Sequence, residues 1–251
     1  MPVARISLSW SGWLSPPQNR LLVEVCNWLR ESRPVAINPV DRWQTANLVY
    51  MCGLPTARAG LTPLVAPVLR QGRYGDRPVY YSDVVVRVDD SAQEPWGLDG
   101  RRFAFNERTS FSGYLAVRHA LAAHAGLPGP QLEWIHTGSH LSSLAAVREG
   151  RADAAAIDSH ILDLAGGREP APGEGLRVLF SGGPWPAPPI SATPRMSASE
   201  QREIRQVLAA MHQVPSGKAV LDSWGVERLA EVEPDDYHEL VRVAGEVESP
   251  P

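Results

Sequence analysis

The chain has 251 residues, 43% hydrophobic and 21% charged, enough for two lobes of ordinary size, each with its own core, and unlike a disordered or fibrous chain. Its formal charge of -4, with no stretch that concentrates Lys and Arg, excludes the basic footprint that a nucleic-acid backbone requires. The two cysteines, Cys26 and Cys52, supply neither a disulfide framework nor a metal-ligand spacing, and no apolar run approaches the roughly 20 residues of a membrane span.

In chain order, residues 1–10 alternate as a strand, with Val3, Ile6 and Leu8 against Arg5, Ser7 and Ser9. They lack the basic, apolar and cleavable sections of an export signal, so the sequence as it stands reads as cytoplasmic, or as periplasmic if a leader has been removed. Pro16-Pro17 opens a helix whose Leu21, Leu22, Val25, Trp28 and Leu29 recur every three or four positions. Residues 46–51 read as a strand ending in the turn Cys52-Gly53-Leu54-Pro55, and residues 61–68 and 79–88 as two further strands.

From Asp89 the pattern becomes strand followed by helix: strands over 102–105, 132–136, 152–157 and 176–180, helices over 110–124, 141–148 and 160–165. Gly126-Leu127-Pro128 stops the first of these helices. Such alternation predicts a mostly parallel sheet flanked by helices. Residues 182–189, rich in Gly and Pro, read as a stiff connection outside any sheet. Beyond them come a strand at 190–193, a helix over 200–212 capped by Ser199, and helices near 218–224 and 237–243, with 248–251 frayed.

The segment with most chemistry is Phe103 to Tyr114, a strand that leads through Thr109, Ser110, Phe111, Ser112 and Gly113 into a helix. Free amides at a helix start carry partial positive charge and want acceptors, and hydroxyls beside them add donors. One cap explains one hydroxyl; three within four positions, beside a glycine, predict a cradle for a small oxyanion. Ser139 and His140 stand at a second junction of this kind, where a surface histidine beside a capping serine is the plain alternative. Asp158 ends a third strand, where open sheets bind their ligands, or else caps the helix that follows; Asp153 reads as structural. None of the common hydrolase, metalloprotease, phosphate-loop or dinucleotide motifs occurs, so no catalytic residue, metal or cofactor is assigned.

Together these residues resemble the phosphate, phosphite and phosphonate family of ABC-transporter substrate-binding proteins, a branch of the type II periplasmic-binding fold. Four pieces in the family's order carry the resemblance between about Val79 and Ile190: Tyr81 to Arg87, Ser110 to Tyr114, Gly138-Ser139-His140 with Ala145-Ala146-Val147, and Asp153 to Ser159. It implies a two-lobed α/β protein with two chain crossings. Residues 1–87 and 190–251 would form one lobe, residues 88–189 the lobe carrying the anion loops, and the ligand would lie in the cleft between them. It also implies that Ser110, Ser112, His140 and Asp158 face a small oxyanion, with an ABC permease as partner and no membrane insertion. Phe111 stands where the family has a hydroxyl, and the stretch that holds an aromatic ligand contact is abbreviated, leaving Trp10, Trp43 and Tyr81 as substitutes. The competing expectation is a cytoplasmic enzyme on the same fold, of the menaquinone or thiamine-precursor type, using Asp158, His140 or Cys52.

Overall fold

The computed structural model describes residues 7–12, 16–32, 36–40, 42–125, 130–163 and 174–248. The chain forms two compact units, Met1–Val79 with Pro186–His238 and Tyr80–Trp185 with Glu239–Pro251. The first opens with β1 (Ser7–Gly12), α1 (Pro16–Ser32), β2 (Ala36–Pro39), β3 (Leu48–Tyr50), α2 (Gly53–Arg58) and β4 (Thr62–Leu69). The second holds β5 (Val79–Arg87), β6 (Arg102–Phe105), a π-turn at Phe111–Leu115 running into α3 (Ala116–Ala125), β7 (Glu133–His136), α4 (His140–Arg148), β8 (Ala154–Asp158), α5 (Ser159–Asp163) and β9 (Leu176–Pro186). The chain returns for β10 (Ile190–Ala192), α6 (Ala198–Ala209), α7 (Pro215–Ser223) and β11 (Val226–Glu231), and ends with α8 (His238–Glu248).

The first sheet has the order β11-β4-β10-β3-β1-β2 and the second β7-β6-β8-β5-β9. Both are mixed, where the sequence predicts mostly parallel strands. β1 runs parallel to β2 and β3, but β10 runs antiparallel to β3 and β4, and β11 to β4. In the second sheet β6 is parallel to β7 and β8, while β5 is antiparallel to β8. Crossover helices suit parallel pairs; β5 and β10 arrive from the other unit with no such helix to set their direction, and β11, reached from β10 through α6 and α7, runs with β10 and therefore against β4.

The interior of the second unit follows from the period of two along its strands. Val84, Val86, Phe103, Ala154 and Ala156 pack on one face with Val117 and Leu121 of α3. Val85, Ala104, Ala155 and Ile157 pack on the other with Leu144 and Val147 of α4 and Ile161 of α5. A strand buried on both faces shows no polar alternation, which is why the runs Val84-Val85-Val86 and Ala154-Ala155-Ala156 sit in the middle of this sheet.

Several expected boundaries shift. β5 belongs with the second unit because it pairs with β8, and α8 joins that unit too, so the chain passes between units three times, not two. β9 continues through Gly182 to Pro186; it is an edge strand, where a proline's missing N–H costs no ladder bond. Cys52-Gly53-Leu54-Pro55 opens α2. Ser197, not Ser199, caps α6, because Glu200 completes a capping box with it. Gly126 to Pro128, most of the 1–10 strand and residues 249–251 lie outside the described residues.

Candidate functional site

Because β6 is parallel to both β7 and β8, the C-terminal ends of all three strands lie at one edge of the second sheet. Antiparallel β5 brings its opening residues to the same edge, with Ser82 opposite Asp158. The segments singled out from sequence all start there, each where a strand gives way to a helix. Open α/β sheets bind ligands at this edge.

Ser110 caps the π-turn, its Oγ accepting from the Gly113 N–H at 3.1 Å. The turn leaves the Phe111 and Ser112 amides ahead of the first intrahelical acceptor, as every helix start does. A π-turn is wider than an α-turn and recurs at functional sites. Ser82 Oγ donates to the Ser112 carbonyl at 2.5 Å, tying β5 to the turn. Ser112 is 2% exposed, and its Oγ lies 3.2 Å from His140 Nε2.

His140 comes to that place through its own cap. Ser139 Oγ accepts from Ser142 N–H at 3.0 Å and starts α4, so that His140 is the first helical residue. The two loops are laced together: Thr137 N–H donates to the Phe105 carbonyl at 2.9 Å and Gly138 N–H to the Asn106 carbonyl at 3.1 Å. Gly138 has φ of 81°, which a side chain would resist. Asn106 then places its Nδ2 3.4 Å from His140 Nε2. Asp158, 2% exposed, accepts from the His160 N–H at 2.9 Å, which is a helix-capping bond for α5.

Burial holds the His140 pKa below its ordinary 6.5, against the opposing pull of the Asp158 carboxylate and the Ala156 carbonyl. The folded chain therefore takes up a proton at this ring less readily than the unfolded chain does. The stability this provides is complete above about pH 6.5 and is lost as pH falls through the window between the unfolded and folded values. Thermal denaturation across pH 7.5 to 5 should show a falling midpoint below 6.5, with a limiting slope of about 1.4 kcal/mol per pH unit for one proton. A His140→Gln variant should lose part of that slope; an unchanged slope would show that the ring titrates normally.

The sequence matches the family described as ABC transporter, phosphonate, periplasmic substrate-binding protein over residues 42–237, more than half of the chain. The chain belongs to this family.

Solved structures agree on the fold. The binding-protein component of a phosphonate ABC transporter from Pseudomonas aeruginosa superposes with a TM-score of 0.74 at 14% identity, covering 95% of this chain and 85% of that one. PhnD1 from Prochlorococcus marinus, in complex with methylphosphonate, gives 0.74 at 15% identity over 96% and 97%. A Xanthomonas citri protein bound to ATP gives 0.67 at 19% identity over 96% and 97%. Membership makes the chain a solute-binding protein and sets aside the biosynthetic enzyme. Among the described residues no helix is long and apolar enough to cross a membrane, and no three His, Cys, Asp or Glu side chains are grouped to hold a metal ion.

Of the residues singled out from sequence, Ser110, Ser112, Gly113, His140 and Asp158 come to one edge, while others serve differently. Phe111 is 1% exposed and stacks edge-on against Trp185 at 4.9 Å between ring centres, so its side chain is core. Thr109 is exposed, and Ser139 spends its hydroxyl as a cap. Tyr81 lies near the start of β5, its N–H donating to Ser159 Oγ at 2.9 Å. Trp10 lies in β1 of the first unit, in register with Pro39 and Leu48. Cys52 precedes α2 in that unit, and Asp153 pairs with Arg102 at 2.8 Å, the structural role expected of it.

Sequence reasoning did not pick out Asn106 and Ser82. Asn106 follows β6 directly, and Ser82 shares a register position with Asp158; that pairing is a spatial fact with no local signature. A wide-mouthed depression of about 530 Å³, lined in part by Arg87, Arg148 and Glu174, opens at the other end of β5. Arg87 there already donates to the Val147 and Ala152 carbonyls, so this depression is separate from the hydroxyl and imidazole cluster.

Proposed function

We propose that this chain captures a small phosphate-like oxyanion (phosphate, phosphite or a phosphonate) at the Thr109–Gly113 turn, with Ser110, Ser112, His140 and Asp158 around it, and hands it to an ABC permease in the periplasm. The observation that carries the proposal is the meeting of Ser112 Oγ and His140 Nε2, 3.2 Å apart, at the start of a helix. Helix-start amides supply fixed partial positive charge there, and hydroxyl and imidazole groups supply directed hydrogen bonds. Tyr81, near the start of β5, is the aromatic candidate in this unit for a ligand's apolar part.

Asp158 narrows the choice of anion. A carboxylate beside a fully ionised tetrahedral oxyanion is repelled by it, whereas a ligand that keeps a proton or carries a cationic group offsets that repulsion. Phosphate, phosphite and aminoalkylphosphonates meet this condition and sulfate does not. Titration calorimetry with phosphate, phosphite, methylphosphonate and 2-aminoethylphosphonate should give one-to-one binding for at least one, without turnover, and no heat with sulfate at the same concentrations. Equal binding of sulfate would remove Asp158 from the site, and no heat with any of them would overturn the proposal.

A further inference from the structure

The geometry points to Asn106 as the residue that sets the direction of the hydrogen bonds in this cluster, and thereby makes the site select an oxyanion that brings its own proton. This inference rests on the oxyanion reading above.

Asn106 is held from both ends. Its carbonyl accepts from the Gly138 N–H at 3.1 Å, and its Nδ2 lies 3.4 Å from His140 Nε2. Its Oδ1 is buried without a hydrogen-bond partner. That oxygen lies over Gly113: a Cβ built on Gly113 would stand 1.9 Å from Oδ1, 2.8 Å from Cγ and 3.1 Å from His140 Cε1. Gly113 thus leaves the space the amide fills, and only one end of the amide meets a hydrogen-bonding group. That end is a donor aimed at Nε2, so Nε2 carries the lone pair and the neutral ring keeps its proton on Nδ1, which is itself buried without a hydrogen-bond partner.

Ser112 Oγ faces the same nitrogen at 3.2 Å. While Nε2 is an acceptor, its one in-plane lone pair is shared by the Asn106 amide and the Ser112 hydroxyl; the Ser112 proton is then turned towards the ring, and what Ser112 offers a ligand is an oxygen lone pair. A phosphonate or phosphate monoanion can donate its P–OH proton to that lone pair. Sulfate, which has no proton at neutral pH, cannot make that bond: it keeps the attraction of the helix-start amides but meets the Ser112 lone pair and the Asp158 carboxylate unrelieved. Protonation of His140 reverses every bond: Nε2–H donates, the Ser112 hydroxyl is released to donate to the ligand, and the Asn106 amide can turn its unpartnered Oδ1 to the ring. The groups facing the ring are Ser112 and Gly113 of the π-turn, Asn106 after β6, and Ala156 and Asp158 of β8, of which Asp158 alone titrates. Burial favours the neutral ring and Asp158 the charged one.

The test begins on the ligand-free full chain, so that it stands apart from the functional proposal. Long-range 1H–15N NMR of the histidine rings at pH 7.5 should show His140 with its proton on Nδ1; a proton on Nε2 would overturn the inference whatever the protein binds. Asn106→Asp replaces the donor by an acceptor and should raise the titration midpoint of this ring by at least about one pH unit, with the new proton on Nε2. Gly113→Ala pushes the amide off from the other side and should give a mixture of tautomers. If neither variant changes the ring's spectrum, Asn106 has no positioning role. With methylphosphonate and sulfate as probes, wild type should favour methylphosphonate at least about tenfold, the worth of one hydrogen bond to a charged group, and Asn106→Asp should narrow that ratio. Failure of methylphosphonate to bind, with the tautomer as expected, would overturn the selectivity stated here and leave the ring assignment standing; the functional proposal falls only if phosphate, phosphite and 2-aminoethylphosphonate fail to bind as well.

Discussion

A Ser112→Ala variant is expected to bind its phosphonate ligand about 10- to 100-fold more weakly, the loss that follows when one hydrogen bond to a charged group is removed. The fold should be little changed, since the bond from Ser82 Oγ goes to the Ser112 carbonyl, which alanine retains. Calorimetry on the variant, with its thermal midpoint as control, checks this. A loss below twofold would mean that the hydroxyl serves only His140. The Ser110→Ala change has a different signature, because Ser110 Oγ caps the turn through Gly113 N–H: it should lower stability along with affinity.

Phe111→Ser, which would place a hydroxyl where the resemblance expects one, is expected to cost about 3–4 kcal/mol of stability, in the range for truncating a buried phenylalanine. The side chain is 1% exposed and packs against Trp185. Its loss leaves a cavity, and the new hydroxyl would enter it with no partner in view. Chemical denaturation measures the difference. A change below about 1 kcal/mol, accompanied by tighter ligand binding, would show that the position faces the ligand. Phe111 thus contributes core packing through its ring, with its amide still at the helix start.

How much of this was legible in the sequence differs from element to element. The strand at Arg102–Phe105 and the helix–strand alternation after it were readable because each crossover helix has its own start and stop signals and each strand a compact apolar run. The hydroxyl loop, Ser139-His140 and Asp158 were readable as three strand-to-helix junctions, and parallel pairing of β6 with β7 and β8 is what brings them to one edge. Asn106 was not readable, since its meaning comes from the empty space over Gly113 and from a histidine 34 positions away. Nor was Ser82, which acts through cross-strand register with Asp158 and a bond to the Ser112 carbonyl.

The sheet directions were misread for a related reason. Periodicity identifies a strand but not the side of the sheet on which the chain re-enters, so antiparallel β5, β10 and β11 look no different from parallel strands. Proline content argued against β9 only because its position at the sheet's edge is a tertiary property. The move of α8 to the second unit is likewise tertiary: its Glu246 lies 3.8 Å from His119 of α3, a pairing that no local pattern encodes.

The central claim is that a phosphate-like anion sits on the turn that begins at Ser110, and amide NMR during a methylphosphonate titration tests it most directly. The amides of Phe111, Ser112 and Gly113 and the ring of His140 should shift together, saturably and with one stoichiometry. Saturable shifts confined to other residues, with these four unmoved, would contradict it.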